Sequence, residues 1–285
     1  MKKKNCKLLS LLIITLLFVS CVTDKIKNDL TKDNFLGKVK SVREFTYDPV
    51  EKFGKIIKRE ISKRYGNQTK FNENGNQIEI NRYNSDGSSS YKKTYKYDDR
   101  GYKTETNEYG FYGSYGMLLK EKSTYEYDDK GNQTKENNYN SDGSLDYQKT
   151  YEYDDKGNKT KQISDGYLNE KWTYEYDDKG NLTDYKRYVS FDSLRYIFSL
   201  KYDDNGNNTE WNKYNSNGSF YMKSSLKYDD KRNLTELKSY RPDGSINFKI
   251  TNKYEFDQVG NWTKQIQSKG AKPTYVKERE IEYYN

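Results

Sequence analysis

The chain has 285 residues, a formal net charge of +8, no histidine and two cysteines. Without histidine it lacks the usual general base and the commonest metal ligand, and no Ser-His-Asp or Cys-His arrangement can form. A single alanine, Ala271, argues against a mainly helical protein, and an aromatic fraction of 16% argues against disorder.

The N-terminus reads as an address. Lys2, Lys3, Lys4 and Lys7 precede a mostly apolar run from Leu8 to Val19. That run is too short to span a bilayer, which takes about 20 residues, but suits a signal peptide. Leu17-Phe18-Val19-Ser20-Cys21 resembles the lipobox of bacterial lipoproteins. The resemblance implies a signal peptide over 1–20, cleavage before Cys21, and lipid on that cysteine as a membrane anchor. Cys6 would leave with the signal peptide. Removing four lysines lowers the charge from +8 to +4. Lysines and acidic residues are interleaved afterwards, so no nucleic-acid partner is expected. Residues 21–35 read as a tether, with room for a helical turn or two between Asp24 and Asn34. A folded domain is expected over 36–285, with its first strand over Lys38–Tyr47.

From there the chain repeats itself. Tyr125-Glu-Tyr127-Asp-Asp-Lys-Gly131-Asn132 recurs, with the second aromatic at Phe71, Tyr97, Tyr127, Tyr153, Tyr176, Tyr202, Tyr228 and Phe256. Between these copies lie Asn84-Ser-Asp-Gly87, Asn140-Ser-Asp-Gly143, Asn215-Ser-Asn-Gly218 and Arg241-Pro-Asp-Gly244. Both signatures fit a type I turn closed by a left-handed glycine, so each repeat should be two strands and two tight turns. The fold class is therefore all-β. About 18 strands should form an antiparallel up-and-down meander with a period of about 26 residues. This sheet should curl as a twisted sheet, a β-spiral or an irregular barrel. Arg232 stands in a glycine slot, so that turn should be strained.

A regular hairpin register assigns the faces. Tyr125, Tyr127 and Tyr139 should share an aromatic face with Leu145, Tyr147, Tyr151 and Tyr153, and Lys135 and Lys149 should lie there too. Glu126, Thr134, Glu136, Gln148 and Glu152 should form a charged face. Lysines on the aromatic face argue against a lipid-facing barrel.

The Tyr-x-Tyr-Asp-x-x-Gly-Asn motif resembles the YD repeats of the Rhs/YD-repeat superfamily over about 200 residues. The resemblance implies strand-turn-strand sheets wound into spirals, in cell-surface proteins often described as carbohydrate-binding. Some bacterial members enclose toxin domains in a shell; this short chain is not expected to.

The Asp-Asp pairs, such as Asp128-Asp129, could suggest a glycosidase, but a pair repeated at every turn reads as turn chemistry. Asp and Asn oxygens cluster at these turns as a calcium ion would require, but their spacing matches neither an EF-hand nor a Gly-rich calcium repeat. Asn-x-Thr at Asn132, Asn158, Asn181 and Asn261 follows the repeat register rather than marking glycosylation. The fifth residue past each turn glycine gives the column Ile80, Thr106, Glu136, Gln162, Tyr185, Trp211, Leu237 and Gln265. Tyr185, Trp211 and Leu237 are large where an outward polar face is expected. With Lys223 as the neighbour of Trp211, they are the candidate ligand site.

The expectation is a non-catalytic lipoprotein of the bacterial cell envelope, at the outer membrane. It would bind a glycan or other extracellular polymer through repeated aromatic hairpins, with no catalytic residue, metal or cofactor. The alternative is a structural or protein-interaction scaffold that docks an envelope protein. A Rhs-like shell fragment and a carboxylate-dependent glycosidase rank below both.

Overall fold

The computed structural model describes residues 28–52, 55–166 and 169–285, with side chains 58–65 left aside. The signal peptide and Cys21 lie outside the described residues. A one-turn helix, α1 (Asp29–Lys32), is followed by 18 strands. They are β1 (Val39–Lys52), β2 (Lys55–Phe71), β3 (Gln77–Tyr83), β4 (Ser89–Tyr97), β5 (Lys103–Phe111) and β6 (Met117–Tyr127). Next come β7 (Gln133–Asn140), β8 (Leu145–Tyr153), β9 (Lys159–Asp165), β10 (Glu170–Tyr176), β11 (Leu182–Val189) and β12 (Ser193–Tyr202). The last six are β13 (Asn208–Asn215), β14 (Phe220–Tyr228), β15 (Leu234–Tyr240), β16 (Ile246–Phe256), β17 (Trp262–Lys269) and β18 (Lys272–Tyr283). Each pairs antiparallel with the next, and β18 pairs with β1. The meander is therefore a closed barrel, which leaves no free sheet edge.

The Tyr-Asp-x-x-Gly-Asn turns explain their own sequence. In the turn after β6, the Asn132 backbone N–H and side-chain amide donate to the two Asp128 carboxylate oxygens at 2.8 and 2.9 Å. The same pairs recur at Asp154–Asn158, Asp177–Asn181 and Asp203–Asn207. The first Asp of each pair is thus committed to its own turn, and the Asn-x-Thr asparagines are its partners. Gly131 takes φ +87°, and Arg232 takes φ +66° in the equivalent place. Arg232 offsets that strain by donating to Asn207 Oδ1 at 2.9 Å and to the Asn205 carbonyl at 3.1 Å, both in the preceding turn.

One position past each turn the ladder slips by one residue. Tyr127 pairs with Gln133, but Glu126 pairs with Lys135, leaving Thr134 as a bulge. The slip recurs at Tyr97, Tyr153, Tyr176, Tyr202, Tyr228 and Phe256. It corrects the expected faces. Tyr125 lies opposite Glu136, Ser123 opposite Asn138 and Glu136 opposite Lys149. Glu136 therefore joins the aromatic face, whereas Lys135 and Tyr139 leave it. Strands leading into the Tyr-Asp turns keep their assigned face, except for a first residue such as Leu145. Strands leaving those turns are inverted, because a bulge changes the parity of everything beyond it.

A bulge also leaves ladder groups unpaired, and the second tyrosine of the next repeat supplies a donor there. Tyr153 Oη donates to the Gln133 carbonyl at 2.8 Å, Tyr127 Oη to that of Lys103 at 2.9 Å, and Tyr176 Oη to that of Lys159 at 2.9 Å. Each bond joins one repeat to the one before it. In these copies the bond accounts for tyrosine rather than phenylalanine; where Phe256 fills the position, Tyr254 Oη donates to the Leu234 carbonyl at 2.9 Å instead.

The N-terminal segment shows which face is inside. Residues 28–35, expected as tether, are part of the fold. Asn34 Nδ2 donates to the Lys231 carbonyl at 2.7 Å, while Asp29 Oδ2 accepts from Tyr97 Oη at 2.9 Å. From β15, next to Lys231, to β4 is seven strand spacings, an arc of roughly 34 Å. Asn34 and Asp29 are five peptide steps apart, a reach of at most about 17 Å. So short a segment can touch both places only by crossing the concave side. It packs there against the aromatic face: Phe35 meets Phe71 edge-on at 5.9 Å, and the Arg279 guanidinium lies 5.0 Å from the Phe35 ring. The aromatic face is the lumen, and residues 28–37 plug one mouth.

Two substitutions test this account. Tyr153→Phe should cost about 1 kcal/mol in urea unfolding, the value of one hydrogen bond. Arg232→Ala and Arg232→Gly lose the same contacts, so alanine should be less stable by about 1 kcal/mol, the cost of the left-handed backbone alone.

Candidate binding site in the barrel lumen

The two faces of the wall differ in kind. Outside, glutamates bridge lysines of flanking strands. Glu105 takes Lys96 at 2.7 Å and Lys122 at 2.8 Å, and Glu236 takes Lys249 at 2.7 Å and Lys227 at 3.7 Å. Lys96 and Lys227 stand well out in solvent, 67% and 71% exposed. Such a surface does not face lipid. Outward lysines such as Lys92, Lys122, Lys186, Lys201, Lys249 and Lys264 are spread over the height of the wall, and each would cost ~2–4 kcal/mol wherever it met the bilayer midplane. Toward the rim away from the plug, the outer face turns apolar. There Tyr139 pairs with Leu145, Tyr188 with Leu194, Tyr214 with Phe220 and Tyr240 with Ile246.

Inside, the column of fifth residues forms one belt. After Ile80 it is polar from Thr106 to Gln162, and a tyrosine from the following repeat bonds each of those three members. Tyr125 Oη lies 3.0 Å from Thr106 Oγ1, Tyr151 Oη donates to Glu136 Oε2 at 3.0 Å, and Tyr174 Oη to Gln162 Oε1 at 3.3 Å. Glu136 also receives Lys149 at 3.0 Å. Burial, then the Glu136 charge, drives the Tyr151 phenol far above its ordinary range, so it stays a donor. Burial pushes Tyr174 up to about 12.

At Tyr185 the belt becomes apolar, and its partners change with it. Tyr174 faces Tyr185, Leu200 faces Trp211, and Leu226 faces Leu237. A tyrosine hydroxyl with no polar neighbour would be buried at a loss, so leucine stands in two of these places. The sequence carried this signal as a coupled change at Leu200 and Leu226, which the assigned register hid.

The candidate residues therefore regroup. Tyr185 stacks on Phe198 with ring centroids 4.4 Å apart at 13°, and Phe198 lies 6.4 Å from Trp211. Trp172 is 5.9 Å from Tyr185. Tyr185, Trp211 and Leu237 thus belong to the lumen and not to the outer face, and Phe198 and Trp172 are members that the sequence reading did not single out. Lys223 is not beside Trp211. It pairs with Asn212 on the outer face and makes its ion pair with Glu210. All three tryptophans of the chain, Trp172, Trp211 and Trp262, look inward, and Arg279 covers Trp262 at 3.4 Å. Beneath the plug lies a cavity of about 400 Å³, lined by Asp33, Phe35, Glu44, Arg82 and Arg279.

No protein-family model and no curated protein matches the sequence. Among solved structures, the chain is similar to a porin-like protein from Bacteroides uniformis. The identity is 12% and the TM-score 0.44, over 86% of this chain and 96% of that one. A porin-like protein from Bacteroides vulgatus has 9% identity and a TM-score of 0.32, over 86% and 98%. The Tc holotoxin pore of Photorhabdus luminescens has 11% identity and a TM-score of 0.32, over 78% of this chain and 14% of that one. All three lie below a TM-score of 0.5, so the role of this barrel has to come from its own geometry.

The outer ion pairs set a pH dependence. Hydrogen bonds from Lys122 and Lys96 hold the Glu105 carboxyl down to about 2, and Lys249 does the same for Glu236. A depressed carboxylate contributes stability that is complete above its unfolded value near 4.5 and is lost as pH falls toward 2. The melting temperature should therefore fall between pH 4.5 and 2, and Glu105→Gln should shallow that fall.

Proposed function

We propose that this barrel is a lipid-anchored, non-catalytic protein of the bacterial cell envelope that binds a glycan in its lumen. The supporting observation is the aromatic arc Trp172–Tyr185–Phe198–Trp211. It lies on the concave side, among side chains that keep N–H groups to donate, Gln162 through Nε2 and Arg187 through Nη1. Flat rings stack on the apolar faces of sugars, and polar neighbours orient the hydroxyls; both are properties of a carbohydrate site. The Cys21 anchor suits this geometry. Only six residues separate it from Asn28, so lipid would hold the plugged mouth toward the membrane, with the barrel standing on the bilayer rather than through it. A non-catalytic role accords with the absence of histidine and with turn aspartates committed to asparagine.

A second reading rests on one observation. The rim away from the plug exposes Phe111 (50%), Tyr115 (80%), Leu145 (54%) and Ile246 (53%) next to its outward tyrosines. Such a rim would suit docking of an envelope protein.

A glycan bound in the lumen should change tryptophan fluorescence, because all three tryptophans line it. Trp211→Ala together with Tyr185→Ala should weaken binding at least about tenfold, since aromatic contacts of this kind are worth about 0.5–1.5 kcal/mol each beyond burial. Circular dichroism should keep its β-sheet form. Undiminished binding in the double variant would set the lumenal site aside. Pull-down of one envelope protein that is lost in Tyr115→Ser would favour the second reading.

A further inference from the structure

The charges around the arc point to the class of glycan. On the inner face of β7 to β13 stand four cations, Lys149, Lys159, Arg187 and Lys213, and two carboxylates, Glu136 and Glu170. The local balance is 4 − 2, or +2. Glu136 is taken by Lys149 and Glu170 by Arg187.

That leaves two cations with no carboxylate. Lys213 Nζ lies 3.5 Å from the Tyr196 ring centroid and 5.6 Å from that of Phe198. Lys159 Nζ lies 4.6 Å from the Tyr174 ring and 5.3 Å from that of Tyr151. The contrast with the outer wall is sharp, where lysines such as Lys122 and Lys249 each meet a glutamate. Rings attract these two ammonium groups but do not neutralise them. Burial, then nearby Lys149, holds the Lys159 ammonium below its usual value, so an anion arriving there would relieve an existing electrostatic cost. Lys159 and Lys213 stand on β9 and β13, four strand spacings or about 19 Å apart across the sheet. The stacked rings of Tyr185 and Phe198 lie between them.

Building on the lumenal-binding reading, we infer that the arc takes an acidic polysaccharide, with sugar rings on Tyr185, Phe198 and Trp211 and its anionic groups on Lys159 and Lys213. Carboxylate and sulfate groups share the required chemistry.

The test titrates the mature chain, followed by tryptophan fluorescence, with polygalacturonate, dextran sulfate and neutral dextran. At least one acidic polymer should bind about tenfold or more tighter than dextran, with affinity falling as salt rises. Preference for polygalacturonate alone would identify carboxylate as the recognised group, and preference for dextran sulfate would identify sulfate. Lys159→Gln and Lys213→Gln should each weaken that binding about tenfold, the scale of one charged hydrogen bond. Lys249→Gln on the outer wall should leave it unchanged. Equal affinity for dextran would overturn the acidic-ligand inference and leave lumenal binding standing. Acidic-polymer binding that survives both inner substitutions but fails in Lys249→Gln would place the polymer on the outer lattice and overturn the inference as well. No fluorescence response to any of the three polymers would count against both readings.

Discussion

One extra residue beside each Tyr-Asp turn governs the wall. The bulge at Thr134 and its counterparts turn every second strand over. The residues five past the turn glycine therefore point into the barrel with the tyrosines, while the Lys–Glu lattice keeps to the outside. Without the bulge, each strand pair would mix the two sets, and neither face would be coherent. The second tyrosine of the next repeat supports the irregularity by donating to the carbonyl beside it, as Tyr153 does to Gln133.

This division accounts for a barrel with almost no apolar core. Among the described residues the buried apolar side chains are few: Leu30, Val39, Val42 and Phe71 cluster at the plug, and Tyr47 and Val276 pair further along β1 and β18. Elsewhere the wall holds through ladder hydrogen bonds, inward tyrosines bonded to Thr106, Glu136 and Gln162, and outward ion pairs. Exposed pairs contribute little singly but are numerous and linked. The same division separates this barrel from one that spans a bilayer, since the charged set is the one turned outward.

Much of this was legible in the residues themselves. The 18-strand meander followed from the spacing of Tyr127, Gly131 and Gly143 and their copies, because those turns admit little else. The strain at Arg232 followed from the glycine slot it occupies. The column from Ile80 to Gln265 was visible as a pattern, but its face was misassigned. Hairpin arithmetic carries parity forward, and the bulge reverses it. The bulged position does carry a signature, a threonine three past the turn glycine as at Thr104, Thr134, Thr160 and Thr183, but threonine there also fits an unbulged strand start. Lys223 was assigned to Trp211 by the same arithmetic and belongs to the outer wall. Phe198 was legible as an aromatic but not as the link between Tyr185 and Trp211, because cross-strand neighbours depend on register.

By itself the sequence determined the local events: where the chain turns, how long each strand runs, and that tyrosine must recur at fixed positions. Those depend on contacts within a few residues, which the chain order encodes directly. The tertiary structure decided three things that no local rule could. The sheet closes, because β1 meets β18 across the full length of the chain. Its aromatic face is concave, because residues 28–37 cross the mouth as a chord rather than an arc. And Tyr185, Phe198 and Trp211 become one surface, because closure and bulge together bring three strands' side chains to the same side of the wall.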